Sequence, residues 1–313
     1  MNAADHPEIS VVMGAYNEEA SLEKTVRSVL SQSFRDFEFI IVNDGSTDRT
    51  ANILDVLAKA DARIRVKHRD NHGLTRSLIH GCSLARGEYI ARQDAGDESL
   101  PRRLEVQLNC LRENPDAVMT GCGVDSVTPA GEVLYTNVRP GIQLDKGVRE
   151  LAVDRIKGPP HHGGTMFRRD AYLESGGYRA QFRVAQDIDL WLRLSELGQC
   201  LGTEEVLYRA AIEPGSISIT RGPDQFYFGE LAIESARLRR AGKDDSGLFE
   251  NLTPPSARGK AAESTSDADY YYFLGSTLME SNRPAARGYL TQALKDNPFH
   301  LKARLRRMGL LRK

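Results

Sequence analysis

Four short apolar runs, separated by polar loops and segments of helical periodicity, occupy the first hundred residues of this 313-residue chain. The first, Ile9 to Met13, breaks at Gly14-Ala15-Tyr16-Asn17-Glu18, and Leu22, Val26, Val29 and Leu30 then recur at helical spacing. Phe37 to Val42 is nearly continuous in apolar residues, as a strand buried on both faces should be, and ends in Asn43-Asp44-Gly45-Ser46-Thr47-Asp48. A helix with Ile53, Leu54 and Leu57, a third strand over Ile64 to Lys67, a helix over Leu74 to Ala85 and a fourth strand over Glu88 to Gln93 continue the pattern. Strands alternating with helices of this length specify an α/β fold with a mostly parallel sheet. Asn17 is read as the cap of the first helix and Ser46 or Thr47 as the cap of the second.

Ligands of such sheets bind outside the carboxyl ends of the strands. There the fourth strand delivers two carboxylates, three residues apart, on the turn Asp94-Ala95-Gly96-Asp97, followed by Pro101. Hard cations such as Mg²⁺ take oxygen ligands, usually one or two carboxylates plus substrate phosphates, so this turn suits a phosphate-bearing substrate. Alone it would be an ordinary polar turn before a helix. Because the first, second and fourth strands all end in polar or acidic loops at one sheet edge, the reading moves to a site. No GxGxxG follows the first strand, which argues against a dinucleotide fold and leaves carboxylates with a bridging metal to handle the phosphates.

The second half departs from simple alternation. Ala117 to Val127 reads as a strand, Pro129-Ala130-Gly131 as a turn and Val133 to Tyr135 as a returning strand. Gly158 to Gly164 is a loop with adjacent His161 and His162; neighbours in extended chain point to opposite sides, so at most one faces the cleft. Asp187 to Leu197 is a helix with Leu190, Trp191 and Leu194 on its apolar face, Val206 to Ala211 a last strand, and Phe226 to Arg240 a helix. Residues 1–240 are expected as the main domain and 241–269 as a linker rich in Asp, Ser, Gly and Pro. Residues 270–313 are expected as a small helical appendage resembling one tetratricopeptide hairpin. Its basic end, Lys302, Arg304, Arg306, Arg307, Arg312 and Lys313, is read as a solvated helix face, with anionic lipid headgroups as the alternative contact.

A formal net charge of -1 gives no global reason to expect nucleic acid as a partner. Cys82, Cys110, Cys122 and Cys200 form no CxxC pair and are read as reduced, buried thiols. Met1 to His6 lacks a signal-peptide pattern, and no apolar run approaches the roughly 20 residues of a transmembrane helix. The expected location is cytoplasmic, with contact at the inner face of a membrane open to the basic tail.

The order of motifs resembles the family 2 glycosyltransferases, which have the nucleotide-sugar-binding fold called GT-A. The residues that carry the resemblance are Val11 to Glu18, Val42 to Asp48, Asn71 to Leu74, Ala85 to Ile90, Asp94 to Asp97 with Pro101, His162 to Arg168, Gly176-Gly177-Tyr178, and Gln186-Asp187 with Asp189-Leu190-Trp191. The resemblance implies a nucleotide-binding half over about 8–116 and an acceptor half over about 117–240. It implies that Ala15, Tyr16 and Glu18 line the nucleoside pocket, Asp44 accepts a hydrogen bond from the base, Arg76 approaches the diphosphate, and Asp94 and Ala95 open the DxD metal motif. Asp187 would be the catalytic base. The cofactor implied is Mg²⁺ or Mn²⁺, and the partners are a nucleotide-sugar donor, with UDP as the first choice of nucleotide, and a saccharide or lipid-linked saccharide acceptor.

Three departures stand out. Gly14 replaces the usual Pro of the first loop. Gly96 replaces the usual second ligand of DADD, so Asp97 is read as its substitute. Ala210 and Ala211 follow Tyr208-Arg209 where many members have a His, and His162 is read as a further metal ligand in compensation. The activity implied is inverting sugar transfer to an acceptor hydroxyl, in cell-surface or exported polysaccharide synthesis. The alternatives are a binding-only domain of the same fold, which Gly96 would favour, and a nucleotidyltransferase, whose Gly-rich basic loop is missing after the first strand.

Overall fold

The computed structural model describes residues 6–151, 158, 161–213, 222–258 and 266–311. Pro159 and Pro160 of the histidine loop, residues 259–265 of the expected linker, and Arg312 and Lys313 lie outside the described residues.

The four anticipated strands are β1 (Ile9–Ala15), β2 (Phe37–Asp44), β3 (Ile64–Arg69) and β4 (Tyr89–Arg92). They lie parallel in the order β3-β2-β1-β4, with Ile9 opposite both Phe37 and Tyr89. The chain therefore steps outward from β1 to β3 and returns to β1's other side at β4. That reversal opens a crevice at the strands' carboxyl ends, where α/β sheets bind ligands.

Side chains alternate between the faces. Ile9, Val11, Met13, Phe37, Phe39 and Ile41 pack on one side with Leu22, Val26 and Val29 of α1 (Leu22–Leu30), Leu54 of α2 (Thr50–Ala60) and Leu104, Leu108 and Leu111 of α4 (Arg103–Glu113). Val12 and Ile40 face the other side, against Leu78 and Cys82 of α3 (Leu74–Ser83). A β carbon on Gly81 would lie 2.6 Å from a Val12 methyl, so glycine is what lets this helix approach the sheet.

The helix caps differ from expectation. Ser21, not Asn17, occupies the cap position of α1, and Arg49, not Ser46 or Thr47, that of α2, with Asp48 Oδ1 just before it accepting from Thr50 N at 2.9 Å. Asn17 instead sits at φ 54° and joins the first two loops: its Oδ1 accepts from Thr47 N at 2.8 Å, and its N–H donates to Ser46 Oγ at 3.0 Å.

Beyond β4, β5 (Glu98–Ser99), β6 (Ala117–Val127), β7 (Val133–Asn137), β8 (Met166–Arg168) and β9 (Gln199–Ala211) extend the sheet. β8 lies between β4 and β6, antiparallel to both. β5 pairs antiparallel with β9, placing Ser99 opposite Tyr208. Helices α5 (Gly141–Arg149) and α6 (Arg169–Glu174) had no reading from sequence, whereas α7 (Gln186–Leu197) matches the helix expected there.

The chain divides into two compact units, the first made of residues 1–124, 137–210 and 226–252, the second of 125–136, 211–225 and 253–313. In the first, Asp245, from the stretch read as a linker, accepts from Ser235, Arg179 and Arg239 at 2.5–2.9 Å. In the second, helices Asp267–Thr277 and Arg283–Asp296 cross closely at Gly275, whose β carbon would lie 2.8 Å from Leu290. Tyr270 donates to the Ile212 carbonyl at 2.8 Å, and Tyr289 donates to Glu132 at 3.0 Å.

Candidate active site

The turn Asp94–Asp97 leaves the end of β4 and is held from beneath by buried side chains. Gln93 Nε2 donates to the carbonyls of Asp94 (3.0 Å) and Asp97 (3.2 Å), and its Oε1 accepts from Ser99 Oγ at 2.6 Å. Tyr208, brought alongside by the β5–β9 pairing, accepts from Asp94 N at 3.1 Å. Gly96 takes φ +91° and donates to Thr25 Oγ1. A side chain at position 96 would set out toward Glu18 Oε2 and Ser21 Oγ, so the carboxylate that shares a cluster with Asp94 is Asp97.

The third member of that cluster is His161. One ligand atom each from Asp94, Asp97 and His161 lie within 4.8 Å of one another, with His161 Nδ1 3.7 Å from both Asp94 Oδ2 and Asp97 Oδ2. His162, the histidine expected as a further metal ligand, is turned the other way: its Nε2 lies 2.6 Å from the Tyr178 hydroxyl and 3.3 Å from Arg92 Nε, in a buried pocket edged by Trp191. His161 is extended (φ -153°, ψ 139°) while His162 opens the short 3-10 turn His162–Gly164, and with that change of backbone the side with the tyrosine and arginine took His162. His161 stacks on Tyr208, ring centroids 5.4 Å apart. Gly163 permits this crowding, since a β carbon there would lie 2.1 Å from the Tyr208 hydroxyl and 2.8 Å from Asp94 Oδ2.

Two fully buried arginines, neither anticipated from sequence, support the turn. Arg92 donates to the carbonyls of Val12 and Gln93, both at 2.8 Å, and to Asp94 Oδ1. Arg103 Nη1 donates to the carbonyls of Arg92 (2.8 Å) and Gly163 (2.7 Å), and its guanidinium lies 5.3 Å from the Tyr208 ring centroid. Burial pushes the Asp94 carboxyl upward, but the charge of Arg92, then those of His162 and His161, and the Arg92 hydrogen bond bring it down to about 2. Burial lowers both histidines, His162 well below the ordinary value, against the pull of Asp94. The lowering at His161 favours its neutral imidazole, the form a metal requires. The donor set of two carboxylates and one imidazole fits a divalent cation, with Arg92 occupying one oxygen of Asp94 and the other directed at His161.

Asp187 stands in the first turn of α7, half-buried. The residue before that turn's first position, Ala185, takes φ 55°, a left-handed conformation uncommon outside glycine, and so sets the angle at which the helix enters. Burial raises the Asp187 carboxyl; hydrogen bonding from the Ile188 N–H opposes this, the charge of Asp94 raises it further and that of His161 lowers it. It thus lies within electrostatic reach of the cluster. Asp189, two residues on, is buried with Arg193, whose Nε and Nη2 donate to its Oδ2 at 3.2 and 2.5 Å.

The first two loops form the other wall. Ala15 is buried, and Tyr16 projects with 48% of its surface exposed. Glu18 accepts from Ser21 Oγ at 2.7 Å, and its N–H donates to Thr50 Oγ1. Asp44 is buried and accepts from Gly73 N at 2.7 Å and His72 N at 3.1 Å, with Arg69 Nε 3.6 Å away, so it anchors the loop that enters α3. Arg76 is exposed on α3, and Ala95 is partly buried against the sheet.

Residues 10–176 match the family Glycosyl transferase family 2. The chain is 38% identical over 213 residues to the protein named as glycosyltransferase EpsE of Bacillus subtilis (strain 168), covering 65% of this chain and 72% of that one. Among solved structures, S. aureus TarS 1-349 in complex with UDP-GlcNAc superposes with a TM-score of 0.60 at 15% identity, covering 97% of this chain and 89% of that chain. The mannosyltransferase PcManGT from Pyrobaculum calidifontis, in complex with GDP-Man and Mn²⁺, gives 0.53 at 17% identity over 97% and 79%. The protein belongs to glycosyl transferase family 2. It has the GT-A fold and is a glycosyltransferase. Among the described residues no helix is long and apolar enough to cross a membrane.

Proposed function

We propose that the protein transfers a sugar from a UDP-sugar to an acceptor hydroxyl with inversion at the anomeric carbon. The observation that carries this reading is the cluster of Asp94, Asp97 and His161 at the carboxyl end of β4, with Asp187 in electrostatic reach of it. Asp187 takes the proton of the acceptor hydroxyl while its oxygen bonds to the anomeric carbon. The bond from that carbon to the diphosphate oxygen breaks, and the diphosphate leaves with the electron pair. One displacement of this kind inverts the centre. A raised carboxyl pKa strengthens a base of this type, and a positioned one contributes roughly 10²–10⁴-fold in rate.

Asp94, Asp97 and His161 would hold Mg²⁺ or Mn²⁺. A divalent cation bound there neutralises the diphosphate and stabilises it as a leaving group. The Mn²⁺ and GDP-Man of the mannosyltransferase and the UDP-GlcNAc of TarS support a nucleotide-sugar donor and a divalent metal. Tyr16, with Ala15 and Glu18, forms the nucleoside wall, Asp44 the base contact, and Arg76 the approach to the diphosphate. The acceptor is a saccharide, free or lipid-linked. Assembly of a cell-surface or exported polysaccharide is the setting we assign it, on the family relationship.

Calorimetry with UDP and with GDP, each with and without Mn²⁺, tests the donor half of this reading. Tighter binding of UDP that depends on the metal is the expected result. A panel of UDP-sugars with product analysis by NMR then reads the anomeric configuration, and a product that retains the donor's configuration would rule out the single displacement.

A further inference from the structure

The C-terminal helix of the second unit, Leu301–Leu311, has two apolar faces where a packed surface helix needs one. The inner face carries buried Ala303 and, two turns on, Leu310, which pack on the helices before it. On the opposite side Leu301, Leu305 and Met308, at i, i+4 and i+7, are 69%, 62% and 52% exposed. Phe299, just ahead of the helix, is 84% exposed, with the Arg304 guanidinium 5.9 Å from its ring centroid. Single exposed apolar residues are ordinary on a soluble protein; a stripe of three at helical spacing, with an exposed Phe beside it, is not.

The flanks of the stripe are cationic. On a helical projection Arg304 lies on one side of it and Lys302 on the other, with Arg306 further round toward the packed face, where its Nη1 lies 3.7 Å from Met279 Sδ; all three are exposed. From Phe299 to Leu311 the sequence has no Asp or Glu. Asp269, from the preceding helices, reaches His300 at 3.2 Å and offsets part of the charge near Lys302.

This charge pattern selects the occupant. A second copy docking face to face would set Lys302, Arg304 and Arg306 against their own equivalents, which opposes self-association. A surface that accepts an apolar stripe between two rows of cations is itself apolar beneath and anionic above, which describes the headgroup layer of a bilayer rich in acidic lipid. We infer that this face lies on anionic membranes, with Phe299, Leu301, Leu305 and Met308 entering between headgroups and the three basic side chains meeting lipid phosphates. The inference stands apart from the sugar chemistry and needs none of the residues of the active site.

Co-sedimentation of the full chain with phosphatidylcholine vesicles, with and without phosphatidylglycerol, is the test. Binding is expected only to the anionic vesicles, and it should fall as salt is raised. Arg304→Gln and Arg306→Gln should each weaken it roughly fivefold. The pair Leu305→Gln and Met308→Gln should weaken it by roughly tenfold or more. All four changes are at exposed positions, so UDP affinity and melting temperature should match the unsubstituted chain. Failure to sediment with anionic vesicles would overturn the inference. So would binding that ignores the leucine and methionine changes, or a concentration-dependent dimer that those changes dissolve without any lipid binding.

Discussion

Glu38 and Asp94 are both carboxylates held against arginines on the same parallel sheet, one near the amino ends of the strands and the other just past their carboxyl ends. Glu38 is closed on both oxygens. Its Oε1 accepts from Ser10 Oγ at 2.7 Å and Arg86 N at 2.9 Å, and its Oε2 from Arg65 and from Arg86 Nε at 3.1 Å. Burial raises its carboxyl, and the hydrogen bonds from Ser10, Arg65 and Arg86 more than reverse that. Asp94 has one oxygen on Arg92, while the other looks toward His161, whose partner carboxylate is Asp97. A carboxylate saturated by the protein is a structural element, whereas one with an oxygen directed into a cleft beside a second acid is poised for a ligand. The arginine alone does not distinguish them.

The largest effect expected concerns Asp187, the carboxylate within electrostatic reach of Asp94. Asp187→Asn should cut transfer roughly 10²–10⁴-fold while UDP binding and the melting temperature hold, because Asn caps a helix as Asp does but takes no proton. Transfer near the unsubstituted rate would remove Asp187 from the mechanism.

The comparison itself is broken or kept by a pair of isosteric changes. In Asp94→Asn the amide can leave its oxygen on Arg92 and turn its NH₂ to the cleft, so the fold should persist and metal-dependent turnover should vanish. In Glu38→Gln either orientation of the amide sets NH₂ against a donor. Arg65 and Arg86 keep 31% and 46% of their side chains exposed, so the loss should be about 1–3 kcal/mol, read by denaturant unfolding, with donor affinity of the folded protein unchanged. A Glu38 variant as stable as the native chain would mean the two sites do not differ as argued.

Asp44 falls between these extremes, since it already anchors His72 and Gly73 yet a carboxylate offers about four acceptor positions. Asp44→Ala should weaken UDP binding by about 1.5–3 kcal/mol in calorimetry. Unchanged affinity would make it a loop anchor alone, like Glu38.

The smallest expected effect is a displacement of the pH profile. A base must be ionised, so transfer falls as pH drops through its pKa. Because burial and the nearby Asp94 charge raise that of Asp187, the acid limb of the transfer rate should lie above the ordinary aspartate value of about 3.9. The residual activity of Asp187→Asn should lack that limb.

Much of this was legible from local patterning. Continuous apolar runs in β1 and β2, buried along their whole length, and helical spacing in α1 are properties of adjacent residues, and polar loops at the strand ends follow from them. The separation of Asp187 from Asp189 was legible too, since positions i and i+2 of a helix face different ways, and Asp189 went to a buried pair with Arg193. The choice between His161 and His162 was not. It depends on Tyr178 and Arg92, which are 16 and 70 residues from His162. Tyr208 meets Asp94 across 114 residues, and no spacing rule links them.

The order of residues by itself determined that this chain folds as an α/β sheet with its acids at the carboxyl ends of the strands, because strand and helix periods are set within a few residues. It also placed Asp94 and Asp97 on one turn. Only the tertiary structure decided which oxygens of those acids are already satisfied and which face the cleft, that position 96 points toward Glu18, and that His161 completes the cluster. Hydrogen bonding and burial are settled by neighbours in space, and for this site those neighbours come from β1, α4, β9 and the loop before β8.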